Sequence, residues 1–190
     1  MITAIVLAAG QSKRMGEPKM LLPWGETTVL EHVIQTLRSA GLEEILVVTG
    51  GNRDRVEALV QAPARSVFNP DYKRGEMISS LQVGLKEASG VAILVVLGDQ
   101  PQVQKSSLEL VLEVFFRTDS SIIVPSYKMR RGHPWIISKM HWSEIMEMGL
   151  GDSLRDFLNR HADEIHYVDV DDPGVLQDLD TPADYLKSRP

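Results

Sequence analysis

Leu7-Ala8-Ala9-Gly10-Gln11-Ser12-Lys13-Arg14-Met15-Gly16-Glu17-Pro18-Lys19 is the stretch on which the fold of this chain turns. The apolar run Ala4 to Ala8 leads into it and has the character of the first, fully buried strand of a parallel sheet. The small residues that follow let a backbone approach a ligand closely, and glycine accepts conformations that other residues resist. Backbone N–H groups in such a turn bind anions, and Lys13, Arg14 and Lys19 add fixed positive charge suited to a polyphosphate. A glycine pair alone reads as an ordinary strand-to-helix loop. Three cations within seven positions after a buried strand favour an anion site. The stretch has neither G-x-x-x-x-G-K-[ST] nor G-x-G-x-x-G, so it is not one of the commoner phosphate loops.

Composition narrows the function classes. The chain has 190 residues, 43% hydrophobic and 24% charged, which suits one α/β domain over 1–190 with a sizeable core. A net charge of −6 and 6% aromatic residues argue against nucleic-acid binding, which rests on cations facing phosphates and on stacking platforms. There are no cysteines, hence no disulfide framework and no thiolate metal site. The expected setting is cytoplasmic: the N-terminus lacks the basic region of a signal peptide, and no run of about 18 apolar residues is present to span a membrane.

Further along, apolar runs and helical patterns alternate. Thr28-Val29-Leu30-Glu31 has capping-box spacing, Val29, Leu30, Val33, Ile34 and Leu37 make one apolar face, and Gly41 supplies a stop. Strands are expected at Ile45–Thr49, Ser66–Phe68, Ala92–Leu97 and Ile122–Val124, the last ended by Pro125. Helices are expected from Arg53 to Val60, from Ser79 to Ala88 and from Leu108 to Phe116, the last capped by Ser106 or Ser107. This alternation predicts βαβ units and a parallel sheet. Two short runs around the basic turn after Tyr127 read as a hairpin away from that sheet, and Ile165–Val170 as an outer strand. Thr181, Pro182 and Asp184 have the pattern of a helix start.

Ligands of open α/β sheets lie beyond the carboxyl ends of strands. Asp99, in Gly98-Asp99-Gln100-Pro101 at the tip of the most apolar strand, is therefore a candidate ligand for a hard ion such as Mg²⁺. Asp178 and Asp180 lie just before the last helix, unexplained by its cap. Alternate positions of an extended segment point oppositely, so either could face the ligand. The polar connection from Asn69 to Met77, followed by Ser79 and Ser80, is placed to contribute.

L-A-A-G-x-S-x-R-M-G-x-x-K resembles the signature of the molybdenum cofactor nucleotidyltransferases, and the later motifs make the likeness closest to the cytidylyltransferases among them. The resemblance runs over essentially the whole chain. It implies a Rossmann-like three-layer α/β/α fold with a mostly parallel sheet and a small β-hairpin lobe for the acceptor. It implies Mg²⁺-dependent transfer of a nucleotide to the phosphate of molybdopterin, with release of pyrophosphate. By resemblance, Leu7, Ala8, Ala9, Gly10, Ser79, Ser80 and Asp99 contact the nucleotide. Arg14 and Lys19 are the catalytic cations, Asp99 and Asp180 hold the metal, and Arg131 and His133 contact the anionic pterin. Trp135 could stack on that pterin or sit in the core. Ala9, where guanosine users carry glycine, points to CTP. The implied recipient of the product is a molybdoenzyme of the xanthine oxidase type or its chaperone. Competing readings are GTP as donor, a sugar or polyol phosphate as acceptor, or a nucleotide-binding sensor or chaperone without turnover.

Overall fold

The computed structural model describes residues 1–12, 14–74, 77–149 and 151–190. The leading apolar run is strand β1 (Ile2–Ala8), buried along its whole length. A two-stranded ribbon, β2 (Pro23–Trp24) with β3 (Thr27–Thr28), precedes helix α1 (Val29–Ser39). Then come β4 (Glu44–Thr49), α2 (Arg53–Glu57), β5 (Arg65–Phe68), α3 (Met77–Glu87), β6 (Ala92–Leu97) and α4 (Lys105–Arg117). The second half has β7 (Ile122–Tyr127), β8 (Arg130–Arg131), β9 (Trp135–Ser138), α5 (Trp142–Glu147), α6 (Leu154–Arg160), β10 (Ile165–Asp169) and α7 (Pro182–Ser188).

The main sheet has the order β10-β7-β9-β6-β1-β4-β5, with β8 paired to β7. β1 runs parallel to both β4 and β6, so its flanks are covered by two other buried strands. Alternation along β1 then divides the core. Ala4, Val6 and Ala8 pack with Leu30, Val33, Ile34 and Leu37 of α1 and with Leu108 and Val111 of α4. Ile5 and Leu7 pack on the other face with Ile78, Leu81 and Leu85 of α3 and with Trp142, Ile145 and Phe157 beyond them. The result is the expected three-layer α/β/α arrangement on a mostly parallel sheet. Each fully buried Leu or Ile contributes about 1.5–3 kcal/mol of transfer free energy. At Gly84 a Cβ would stand 2.6 Å from Ile5 Cγ2, so the missing side chain lets α3 settle directly on β1.

Local signals are realised as read. Thr28 caps α1 reciprocally with Glu31, and Thr181 caps α7 reciprocally with Asp184, with Pro182 at the first helical position. β10 is an outer strand. Among the described residues no helix is long and apolar enough to cross a membrane.

Three expectations are corrected. β7 does not end at Pro125 but runs on to Tyr127. The β9 pairing stops at Ile123, so the missing proline N–H breaks no bond to β9, and the Pro125 carbonyl accepts from Gly132 N–H at 2.8 Å. The second limb of the expected hairpin does not lie apart. Arg130 and Arg131 pair with β7, but Trp135–Ser138 enters the main sheet antiparallel between β6 and β7. Finally, neither Ser106 nor Ser107 caps α4, whose N-cap is Gln104 without a side-chain cap bond. The cap comes from far along the chain. Buried Asp172 accepts from Gln104 N–H and Ser107 Oγ–H at 2.8 Å each with Oδ2, and from Gly174 N–H at 2.8 Å with Oδ1.

Asp172→Ala leaves these donors unpaired and is expected to lower the unfolding free energy by about 2–4 kcal/mol. Exposed Ser106→Ala should stay within about 0.5 kcal/mol of the parent. Denaturant unfolding of both variants checks the assignment.

Candidate active site

β1 and β6 end side by side, with Leu7 opposite Leu97. The Leu7 carbonyl accepts from Gly98 N–H at 3.1 Å, which sets the glycine loop after β1 against the Gly98-Asp99 turn after β6. A third segment joins them. The Asp99 carbonyl accepts from Leu179 N–H at 3.1 Å, and the Leu179 side chain is fully buried against Trp24 and Val29. Leu179 therefore anchors the two acids on either side of it. They diverge, as an extended segment requires. Asp178 Oδ1 accepts from Gln100 Nε2 at 2.7 Å, whereas Asp180 turns to Lys19.

Lys19 is the centre of the site. Its Nζ lies 3.0 Å from Asp99 Oδ2 and 2.8 Å from Asp180 Oδ1, and its side chain is only 11% exposed. Burial pulls the ammonium pKa down, but the bond to Asp180 and the charge of Asp99 outweigh it, and the pKa is raised. The same bond, helped by Arg14, holds the Asp180 carboxyl below its ordinary range. Asp178 moves the opposite way: burial and then the nearby Asp99 charge push it up. Arg14 Nη2 reaches Asp180 Oδ2 at 3.1 Å from a largely exposed position. The loop is folded back to make this possible: Ser12 adopts φ 51°, and its Oγ accepts from Lys19 N–H at 3.0 Å.

These groups open onto a cleft of about 580 Å³. That lies within the range of roughly 300–1,000 Å³ usual for small-molecule sites. Leu7, Ala9, Gly10, Arg14, Lys19, Ser80, Asp99, Asp178 and Asp180 line it. Asp99 and Asp180 converge on one cation, and such a carboxylate pair could also hold a hard divalent ion. Ala8 lies beneath, 1% exposed in the core. Ser79 and Ser80 both accept from Asn69 Nδ2, at 3.1 and 3.0 Å, and Ser80 reaches the cleft wall. Lys13 falls outside the described residues, as do Gly75 and Glu76 of the connection before α3.

The structure does not bring Arg131 and His133 to this cleft. Arg131 donates to Asn159 Oδ1 at 2.9 Å and lies over the Tyr167 ring. The His133 ring stacks on Trp135 with centroids 4.0 Å apart, and burial pushes its pKa down to about 4. A neutral imidazole lacks the charge that an anion contact would use. Trp135 is a core residue, its indole N–H donating to the Gly132 carbonyl.

The connection after β5, expected to contribute, does so through Tyr72 and Lys73, which join the wall. Two supports of the cleft had no role assigned from the sequence. Fully buried Asn69 shapes that connection, accepting from Asp71 N–H at 2.9 Å in an Asx turn and bracing both serines. Its signal was Asn-Pro-Asp directly after a strand. Gly50 is the other. A Cβ there would stand 2.5 Å from Tyr72 Cβ and 2.7 Å from the Ala9 carbonyl, so only glycine lets the loop after β4 support Ala9.

Residues 4–165 match the family described as the MobA-like NTP transferase domain. The chain belongs to this family. Molybdenum cofactor cytidylyltransferase of Escherichia coli (strain K12) is 26% identical over 99% of this chain and 95% of its own length. Nicotine blue oxidoreductase of Paenarthrobacter nicotinovorans is 31% identical over 95% and 92%. A probable molybdenum cofactor guanylyltransferase of Bacillus mycoides (strain KBAB4) is 34% identical over 57% and 54%. Among solved structures, Rv0371c of Mycobacterium tuberculosis H37Rv superposes with a TM-score of 0.81 at 30% identity, covering 98% of this chain and 96% of that one. The same protein is also solved in complex with manganese. These likenesses bear out the nucleotidyltransferase family and the fold.

His133 also gives the protein a pH dependence. Its pKa lies near 6.5 in the unfolded chain and at about 4 when folded, so between these values the unfolded chain binds the extra proton. Stability is therefore expected to fall as pH drops through this window, by up to about 3 kcal/mol from this one group. An NMR titration should show the His133 ring unprotonated at pH 5.5, and His133→Gln should flatten the stability profile between pH 6.5 and 4.

Proposed function

We propose that this chain transfers CMP from CTP to the phosphate of molybdopterin, forming the cytosine dinucleotide form of the cofactor and releasing pyrophosphate. The observation that carries this reading is the Lys19 ammonium held between Asp99 and Asp180 at the mouth of the glycine loop. In the reaction an oxygen of the acceptor phosphate forms a bond to the α-phosphorus of CTP. The bond from that phosphorus to the bridging oxygen of the β-phosphate breaks, and its electrons leave with pyrophosphate. The acceptor phosphate is already a nucleophile, so the protein's task is positioning and charge neutralisation.

The chain's groups suit those tasks. Lys19 neutralises charge growing at the α-phosphate, and Arg14, exposed at the rim, takes the β- and γ-phosphates. Gly10 offers backbone close to the phosphates, and Ala9 and Ser80 face the nucleoside. Mg²⁺ would be held by Asp99 and Asp180 and would act there as a Lewis acid and template. The charge balance supports its involvement. Among the described cleft residues, Arg14, Lys19 and Lys73 offset Asp99, Asp178 and Asp180, so the cleft alone has no net attraction for a triphosphate.

CTP is preferred because Ala9 presents a methyl group where a purine edge would need room, and because the cytidylyltransferase relative aligns over nearly the whole chain. The product then passes to a molybdoenzyme of the xanthine oxidase type or to its chaperone, in the cytoplasm.

Pyrophosphate release with Mg²⁺ and molybdopterin, with CTP, GTP, ATP and UTP offered separately, tests this. Release selective for CTP is expected, with kcat lowered about 10²–10³-fold by Asp99→Asn and by Lys19→Met. Ala9→Gly should raise the GTP rate relative to CTP. Release with GTP alone would overturn the base assignment. Silence with all four nucleotides despite measurable CTP binding would overturn the acceptor or the turnover itself.

A further inference from the structure

The nucleotide cleft lies at the carboxyl ends of β1 and β6. A second cluster of polar side chains gathers at the opposite end of the sheet. Ser121 immediately precedes β7, Glu164 immediately precedes β10, and His141 follows β9, which runs the other way. His161 closes α6 beside them. Residues 141, 161 and 164 each offer a ligand atom, and these atoms lie within 4.8 Å of one another.

We infer that His141, His161 and Glu164 form a binding site for one divalent transition-metal ion of the zinc type, distinct from the site at Asp99 and Asp180. The pair distances support three-point ligation. His161 Nδ1 stands 2.7 Å from Glu164 Oε1, and His141 Nε2 stands 3.4 Å from Glu164 Oε2. A tetrahedral zinc with bonds of about 2.0–2.2 Å needs its ligand atoms roughly 3.4 Å apart. Glu164 is the most exposed of the three, with 43% of its side chain accessible, and turning it opens the 2.7 Å contact. His141 is the fixed member, its side chain 6% exposed and its ring packed edge-on to Phe157.

A second observation points the same way. The far nitrogen of His161, Nε2, meets Glu144 Oε2 at 2.7 Å, and Glu144 is itself gripped by Arg160 at 2.9 and 3.1 Å. A carboxylate on the outer nitrogen fixes the tautomer and ring orientation of a metal-binding histidine. Without an ion Nδ1 donates to Glu164 as Nε2 does to Glu144, and a metal would take the place of the Nδ1 proton while the Glu144 contact keeps the ring in position. Two imidazoles and one carboxylate select a borderline ion such as Zn²⁺ over Mg²⁺, which prefers oxygen alone. A fourth position would be open to water at the surface. Bound there, the ion would tie the ends of α6 and β9 to the start of β10 and stiffen the far pole of the sheet.

The test uses the full chain stripped of metal with a chelator, with Asp99→Asn and Asp180→Asn introduced together so that the cleft holds no ion. Competition against a colorimetric chelator should show one equivalent of Zn²⁺ bound with Kd of about 1 µM or tighter. Co²⁺ in its place should give the strong visible bands of a four-coordinate ion. Glu164→Gln and His161→Ala should each weaken binding at least about tenfold while keeping the parent circular dichroism, and Glu144→Gln should weaken it less. Glu164→Gln in the otherwise native chain should leave nucleotide turnover unchanged. Zn²⁺ binding weaker than about 100 µM overturns the inference, as does binding that Glu164→Gln and His161→Ala leave within about twofold of the parent.

Discussion

A lysine ammonium shared by two carboxylates organises the functional end of this protein. Lys19, Asp99 and Asp180 come from three segments that have no local reason to meet. Without Lys19, Asp99 and Asp180 would face each other with Asp178 close by, and like charges so near one another repel. The ammonium offsets that repulsion and lets them converge on one point. In the proposed reaction a polyphosphate and a divalent ion would rearrange these contacts, because a carboxylate holds a divalent ion more strongly than it holds an ammonium. Structural pairing and readiness for a substrate thus reside in the same contacts.

That constraint explains the shape of the surrounding chain. Asp99 is fixed because β6 is buried and its tip is bonded to Leu179, and Asp180 is fixed because Leu179 is buried against Trp24 and Val29. Lys19 reaches inward because the loop doubles back at Ser12. Gly50 is needed one strand away, where the loop after β4 presses on the Ala9 carbonyl. The two poles of the sheet divide the work. Carboxyl ends of parallel strands carry the cleft, and the opposite end carries a histidine–glutamate network that joins α5 and α6 to β10.

What the sequence revealed was local. The caps at Thr28 and Thr181 are set by residues three positions apart, and the buried strands by unbroken apolar runs. The residues of the glycine stretch and the three acids stood out because charged groups beside buried strand ends require a reason. What it hid depends on distant partners. Asp172 caps a helix that begins 67 positions earlier in a different element, and no spacing rule connects them. Trp135–Ser138 reads as half of a hairpin, but it pairs antiparallel with both β6 and β7, and burial of Ile136 and Ile137 favours that place. Arg131 and His133 had the right residue types, but neighbours absent from their own stretch, Asn159 and Tyr167 for one and the Trp135 ring with core burial for the other, keep them out of the cleft. Asp178 and Asp180 diverge, one toward Gln100 and the other toward Lys19, and no spacing in the sequence shows which way each side chain turns.

The most direct measurement is a crystal structure of the protein with CTP and Mn²⁺, read through the anomalous signal of the manganese. The account predicts one manganese peak between Asp99 and Asp180, with the Lys19 ammonium released from at least one carboxylate and bonded to a phosphate oxygen. A nucleotide bound while Lys19 still bridges both acids, or manganese found away from them, would contradict it.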